Sequence, residues 1–344
     1  MDKRTKPNTE PRLNQPNTGL LPNIELLKVS GLKRHFPVKA GFFKFKAKAA
    51  VRAVDGVDFS VRENRVFALV GESGSGKSTV ARIVMRLDEA DGGTVLYRGK
   101  NVFSLTGGDL KKYRRSVQIV FQDPLASLNP RMTVFKTLAE PLLVHKLVPR
   151  TRYREKVVEI LEKVGLTPDV MDRYPHEFSG GQRQRVCIAR ALTLSPEVVV
   201  ADEPLSALDV SIQAQILNLL IDLKADIGLS FLFISHDLHV VQYFSDEIGV
   251  MYLGKIVERG ETNDLFSNPL HPYTVMLMDC APSIERAFNK KSRQITDGDI
   301  PSPIDVPPGC PFHPRCPKRF NPCDTIVPRL VEFKGTMVSC HLYD

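Results

Sequence analysis

No stretch of about 18 consecutive apolar residues occurs in this 344-residue chain, so no segment has the length a membrane-crossing helix needs. The opening residues, Met1-Asp2-Lys3-Arg4-Thr5-Lys6-Pro7, run into further polar residues rather than an apolar stretch. That argues against a secretory signal and makes a cytoplasmic location the expectation. There is no internal repeat and no sustained heptad run, which sets aside repeat arrays and coiled coils. Residues 1–22 lack apolar periodicity and are rich in Pro, Asn and charge; they are expected to be disordered. Cysteine is sparse, with six in all, but four of them crowd into the last part of the chain.

What remains has ordinary globular proportions, 42% hydrophobic and 25% charged, enough for one large domain or a domain plus an extension. The net charge of +8 is compatible with an anionic partner or with a plain solvated basic surface, and it bears on association rather than fold. Ile24 to Val29 reads as a first strand. Phe42-Phe43-Lys44-Phe45-Lys46 mixes aromatics and lysines in an insertion that either packs on the domain or touches lipid headgroups.

Val66-Phe67-Ala68-Leu69-Val70 is a continuous apolar run, as in a strand buried on both faces. It leads into Gly71-Glu72-Ser73-Gly74-Ser75-Gly76-Lys77-Ser78-Thr79, followed by helical spacing at Val80, Ile83, Val84 and Leu87. This is G-x-x-x-x-G-K-[ST] in its strand–loop–helix context, whose backbone N–H groups cradle nucleotide phosphates. Gly71, Gly74 and Gly76 permit close backbone approach. Lys77 is placed to reach the β- and γ-phosphates, and Ser78 to ligate Mg²⁺. Two further apolar strands are expected at Glu197–Ala201 and Leu229–Ile234, with a helix between them carrying Ile212, Ile216, Leu219, Leu220 and Leu223 on one face. Strands alternating with helices imply a mostly parallel sheet, an α/β fold. Asp202-Glu203 ends one strand, where a buried carboxylate needs a partner, and His236 follows another.

Phe178-Ser179-Gly180-Gly181-Gln182 lies about a hundred residues beyond the first motif. Together with Asp202-Glu203 and His236 it resembles the ATP-binding cassette (ABC) family, where Ser-Gly-Gly-Gln is the signature. The resemblance implies a P-loop NTPase core with a mostly parallel sheet, an antiparallel β-subdomain, a helical subdomain near 123–196 and an ATPase domain over 23–267. Leu138–Leu147 and Tyr153–Val164 read as helices of that subdomain.

By the same resemblance, Asp202 approaches Mg²⁺ and Glu203 polarises the attacking water. Gln122 contacts both the metal and that water, and His236 bonds the γ-phosphate. Ser179, Gly180, Gly181 and Gln182 serve an ATP bound on the opposing subunit, and Asp209, in Ser206-Ala207-Leu208-Asp209, crosses to that site. Phe36 is the candidate face for adenine, in competition with Phe42, Phe43 and Phe45. Two departures are noted. Phe178 stands where the family has Leu, and Asn64-Arg65 stands where it has Gly-Glu; both are expected to have local effects only.

Phe121-Gln122-Asp123-Pro124-Leu125-Ala126-Ser127-Leu128-Asn129-Pro130, Tyr174-Pro175-His176-Glu177 and Asn268-Pro269-Leu270-His271-Pro272-Tyr273-Thr274 look like the ATP-binding subunits of bacterial oligopeptide/dipeptide importers. Val51-Arg52-Ala53-Val54-Asp55-Gly56-Val57 favours the F-type of their two ATPases. The resemblance implies an ATPase coupled to transport at the cytoplasmic face of the inner membrane. It implies a paralogous ATPase, two permeases and an extracytoplasmic substrate-binding protein as partners, with no nucleic acid. Importers of nickel or another small solute are the alternative, and a soluble ABC ATPase on nucleic acid or ribosomes the more distant one. Substrate choice rests with the permeases and the binding protein.

From Asn268 the composition shifts towards Pro, and a separate extension over 268–344 is expected. Cys310, Cys316, Cys323 and Cys340 are spaced C-x5-C-x6-C-x16-C. Clustered cysteines in a cytoplasmic chain point to metal rather than disulfides. Four thiolates suit a 4Fe–4S cluster or a tetrahedral zinc with His313 and His341 in reserve, and simple packing is the third reading. Resemblance to importer ATPases with this tail favours the cluster. Cys187 and Cys280 read as buried or incidental. The tail is expected to be separable from ATP binding.

Overall fold

A computed structural model describes residues 24–38, 50–280 and 301–344. The tail 1–22 and the aromatic insertion with Phe42, Phe43 and Phe45 lie outside them. The described strands are β1 (Glu25–Pro37), β2 (Ala50–Arg62), β3 (Val66–Val70), β4 (Gly92–Tyr97), β5 (Lys100–Asn101) and β6 (Val117–Val120). They continue with β7 (Val198–Asp202), β8 (Ser230–Ser235), β9 (Glu247–Tyr252), β10 (Lys255–Glu261), β11 (Val331–Phe333) and β12 (Thr336–Val338).

Two sheets result. One is antiparallel, ordered β2-β1-β4-β5; the other is ordered β11-β12-β10-β9-β3-β8-β7-β6. Within the larger sheet, β9, β3, β8, β7 and β6 are parallel neighbours. Strand β3 shows why continuous apolar runs belong here. Val66, Ala68 and Val70 enter the core on one face, while Phe67 and Leu69 enter the core on the other. A sheet covered on both sides has no polar face to alternate with.

Between β6 and β7 the described chain is helical: Pro124–Ser127, Val134–His145, Tyr153–Lys163 and Gly180–Leu192, with short 3₁₀ turns. The second of these starts four residues before the expected Leu138, because Thr133 caps it by accepting the N–H of Lys136.

The C-terminal segment is less separate than its composition suggests. β12 pairs antiparallel with β10, and β11 with β12, so the tail hairpin extends the main sheet. Phe312 is buried against Tyr252 of β9 and Tyr273, with ring centroids 5.4 Å from each. Cys310 and Phe312 of the tail join the core of the cassette, while Val338 and Cys340 form a small cluster of their own with Leu270.

Candidate functional site

Four of the adjacent parallel strands deliver polar residues at their carboxyl ends, where open α/β sheets bind ligands. β3 runs into Gly71–Gly76, β7 ends at Asp202, β8 is followed by His236, and β6 is followed by Gln122. Register explains the convergence. Val70 pairs with Ser235, Asp202 with Ile234, and Val120 with Ala201, so the strand ends stand side by side.

The glycine loop needs its glycines for two physical reasons. Gly71, Gly74 and Gly76 all have positive φ, at 150°, 79° and 107°, a region disfavoured for other residues. A Cβ on Gly71 would also lie 2.1 Å from the Met251 carbonyl oxygen, and one on Gly76 lies 1.9 Å from that of Ala53. Gly76 precedes the helix Lys77–Val84, whose N-terminus faces the loop with Ser78 and Thr79 in its first turn. Lys77 is buried and folds its ammonium back over the loop. It donates to the carbonyls of Gly71 at 2.8 Å and Glu72 at 2.9 Å, with Ser75 Oγ at 3.4 Å. Burial lowers its pKa, opposed by the charges of Glu203, Asp202 and Glu72. Ser73 is exposed at the loop's midpoint.

Ser78 Oγ donates to Asp202 Oδ1 at 2.9 Å. Burial raises the pKa of Asp202, with the hydrogen bond from Ser78 opposing it and Glu203 adding to it. A carboxylate beside a serine hydroxyl offers oxygen donors to a hard divalent cation, whose charge would offset that desolvation. Glu203 is the hub of the other half. Its Oε2 accepts from Gln122 Nε2 at 3.0 Å and lies 3.2 Å from His236 Nδ1. Its backbone sits at φ 47°, a left-handed conformation unusual for Glu. The N–H of Glu203 donates to Ile234 O at 3.0 Å, and Ser206 Oγ donates to Glu203 O at 3.0 Å. A small cavity beside it is lined by Glu203, Ser206, Gln213, Ser235 and His236.

The expected residues therefore gather at one sheet edge in three bonded sets: Lys77 with the loop carbonyls, Ser78 with Asp202, and Gln122 with Glu203 and His236. The signature segment stands apart from them. Ser179 caps the helix Gly180–Leu192 and closes a capping box with Gln182: Gln182 N–H donates to Ser179 Oγ at 3.3 Å, and Ser179 N–H to Gln182 Oε1 at 3.1 Å. A Cβ on Gly181 would lie 2.5 Å from Ile212 Cγ2, and one on Gly180 3.4 Å from Leu208 Cδ2. These glycines fit the helix end against Val210–Ile227, the helix that Asp209 precedes. Asp209 and the adjoining Val210 are exposed, Val210 to 82%. Phe36 lies near the end of β1 opposite Val51, with the Arg34 guanidinium carbon 4.7 Å from its ring centroid.

The four tail cysteines are free thiols, and together they line one small cavity with His271 and Phe312. Burial raises the pKa values of Cys310 and Cys340 to about 11, and neighbouring thiols add to the effect. Among the described residues, no group of three or more His, Cys, Asp or Glu is placed to hold a metal ion. The reserve histidines are already engaged, His313 Nδ1 with Cys310 O at 3.0 Å and His341 Nε2 with Ile326 O at 2.8 Å. A lone zinc ion thus finds no preformed tetrahedron. Around that cavity Cys310, Cys323 and Cys340 are buried and Cys316 is half-buried. Cys187 is buried as expected, whereas Cys280 is exposed.

Sequence reasoning missed the partners of the glycine loop beyond residue 270. Tyr273 OH accepts the N–H of Glu72 at 2.9 Å, and Arg315 pairs with the Glu72 carboxylate. It also missed Glu258, fully buried on β10, which accepts the N–H groups of Leu270 at 2.8 Å and His271 at 2.9 Å. The sequence offered little signal, since Glu258 follows Ile256-Val257 but is itself followed by another charged residue, Arg259.

Comparison with known proteins agrees with this geometry. Residues 54–206 match the ABC transporter family, and residues 257–323 match the oligopeptide/dipeptide transporter C-terminal region. The dipeptide transport ATP-binding protein DppF of Escherichia coli (strain K12) is 46% identical over 319 residues, covering 93% of this chain and 95% of that protein. The oligopeptide transport ATP-binding protein AppF of Bacillus subtilis (strain 168) is 47% identical over 321 residues, covering 92% and 97%. Among solved structures, cbiO1 from Clostridium perfringens, part of the ABC transporter complex cbiONQ, superposes with a TM-score of 0.61 at 25% identity, covering 79% of this chain and 97% of that one. An ATP-binding cassette solved as a dimer bound to ADP and Pi gives 0.60 at 28% identity, covering 69% and 98%.

Proposed function

This chain belongs to the ABC transporter ATP-binding proteins of the oligopeptide/dipeptide type, and on that premise we propose that it hydrolyses ATP to power peptide import. The observation that carries the reading is the convergence of three bonded sets at the carboxyl edge of the parallel sheet: Lys77 over the loop carbonyls, Ser78 on Asp202, and Gln122 and His236 on Glu203.

In this reading Gly71, Ser73, Gly74, Ser75, Gly76, Ser78 and Thr79 wrap the phosphates, and the Lys77 ammonium offsets their charge. Ser78, Asp202 and Gln122 would hold Mg²⁺, which would supply charge neutralisation beside the phosphates. Glu203 accepts the hydrogen bond of the attacking water and aligns it. Gln122 and His236, both at its carboxylate, fix its orientation, and His236 reports the γ-phosphate. Phe36 offers an aromatic face to adenine. Ser179, Gly180, Gly181 and Gln182 lie outside those bonded sets, which accords with their acting on ATP held by a second subunit, with Asp209 crossing between the two.

That second subunit is a paralogous ATPase, and the pair sits on two permeases at the cytoplasmic membrane surface with a substrate-binding protein outside. Residues 23–267 form the ATPase domain, with its helical subdomain near 123–196, and 268–344 form the extension. The four tail thiolates of Cys310, Cys316, Cys323 and Cys340 would hold a 4Fe–4S cluster as a structural tie. Protein purified without oxygen should contain about four irons and four sulfides per chain; their absence refutes the cluster.

The functional test is Glu203→Gln in the assembled transporter. Loss of a positioned carboxylate costs about 10²–10⁴ in rate, so ATP turnover and peptide uptake should fall together while ATP still binds. Uptake of nickel with no peptide uptake by the wild-type assembly would favour the small-solute alternative.

A further inference from the structure

Glu72 is the second residue of the glycine loop, and each of its polar groups is held. Its carbonyl accepts from Lys77 Nζ at 2.9 Å, and its N–H donates to Tyr273 OH at 2.9 Å. Its carboxylate takes both arms of Arg315, with Nη1 to Oε2 at 2.9 Å and Nη2 to Oε1 at 3.0 Å. Two of these three partners come from the C-terminal segment, the guanidinium from 243 positions away. The Arg315 side chain is only 8% exposed and that of Glu72 24%. A planar fork on a carboxylate, shielded from water, is the geometry in which such a pair fixes orientation as well as charge.

Arg315 is itself anchored. It ends the short turn His313–Arg315, which lies between Cys310 and Cys316, and its guanidinium carbon lies 5.8 Å from the Phe312 ring centroid. Phe312 is buried on Tyr252 and Tyr273. The thiol-lined lobe and the glycine loop are therefore one bonded unit.

We propose that Arg315 is a positioning residue for nucleotide binding: through Glu72, the cysteine lobe holds the glycine loop in its receiving shape and neutralises a carboxylate beside the phosphates. The inference rests on the ATPase reading of the site. Two physical effects carry it. A loop with three glycines at positive φ is permissive, so ordering it on binding costs entropy unless something orders it beforehand. A carboxylate near the phosphate site repels nucleotide unless its charge is countered.

The test measures nucleotide Kd on the full-length chain carrying Arg315→Gln, Glu72→Gln or both, with MgATPγS as the probe. Arg315→Gln should raise Kd about ten-fold, the scale of one charge-assisted hydrogen bond. Adding Glu72→Gln should recover much of that loss, because the uncountered charge is gone. A contact that merely stabilises the fold predicts no such recovery. An unchanged Kd in Arg315→Gln, or a double variant no better than the single, overturns the proposal. Should Arg315→Gln fail to fold, Arg315→Lys keeps the charge and loses the fork; it should raise Kd about three-fold, and an unchanged Kd overturns the proposal. Wild-type protein that binds no MgATPγS overturns the ATPase reading and this inference with it, whereas wild-type binding alongside an unaffected Arg315→Gln overturns the inference alone.

Discussion

Replacing Glu258 by Leu should destabilise the protein although Leu suits a buried strand. Glu258 has no exposed surface, and its carboxylate receives the N–H groups of Leu270 and His271 at 2.8 and 2.9 Å. Leu leaves both donors buried without an acceptor, at about 1–3 kcal/mol each. Removing a desolvated carboxylate returns part of that, since burial already holds the pKa of Glu258 above its ordinary value against its hydrogen bonds. The net loss is therefore placed at about 2–3 kcal/mol, in the lower half of the summed range. Gln keeps one acceptor oxygen and turns an NH₂ towards the other donor, so Glu258→Gln should fall between wild type and Glu258→Leu.

The assay is the urea midpoint of the full chain. A pH series adds a sign. A carboxyl group whose folded pKa is raised contributes stability that is present below its ordinary value of 4.5 and lost as pH rises through the folded value. The gap between wild type and Glu258→Leu should therefore narrow as pH rises through that window. A Glu258→Leu protein at least as stable as wild type near pH 5 would refute the reasoning, by showing that the two N–H groups find other acceptors.

Burial lowers the pKa of His271 to about 3 from 6.5, so the unfolded chain takes up protons that the native site refuses. Stability is full above pH 6.5 and declines below it, by about 2 kcal/mol at pH 5 from this group; His271→Leu should flatten that acid slope in thermal melts, and an unaltered slope removes His271 as its source. Phe36→Ala should raise the ATP KM several-fold with little change in kcat, by loss of a stacking face worth about 1 kcal/mol; an unchanged KM removes Phe36 from the site. Cys316→Ser alters the residue next to Arg315 and should weaken MgATPγS binding in the full chain, measured by titration. An unchanged Kd would restore the separation of tail and cassette that composition alone led one to expect.

The nucleotide residues were legible because phosphate chemistry demands particular residue types at fixed spacing beside buried strands. Val66–Val70 followed by three glycines and Lys77 has few other uses, and Asp202-Glu203 after an apolar run signals a carboxylate with a partner. The departure at Asn64 also has a local account. Its φ is 58°, a left-handed position that Asn tolerates better than most residues, and its N–H donates to Ser230 Oγ at 2.9 Å. Long-range pairs were not legible. Arg315 carries no mark distinguishing it from other arginines, and only the fold of Phe312 onto Tyr252 and Tyr273 brings it to Glu72. The tail's Pro-rich composition concealed its hairpin, since strands of three residues such as Val331–Phe333 are too short to show alternation.

That hairpin has a consequence for how the molecule tolerates company. Without it, β10 would be the rim of the large sheet, offering an open row of amide groups to any passing strand, the usual route to edge-to-edge association. β12 covers Glu258 and Arg259 of that rim, and β11 leaves a new border only three residues long, too brief to template a neighbour. A chain cut before residue 331 keeps every nucleotide residue at the carboxyl edge of the sheet and loses this border guard. The final turn of the tail thus doubles as protection against self-association.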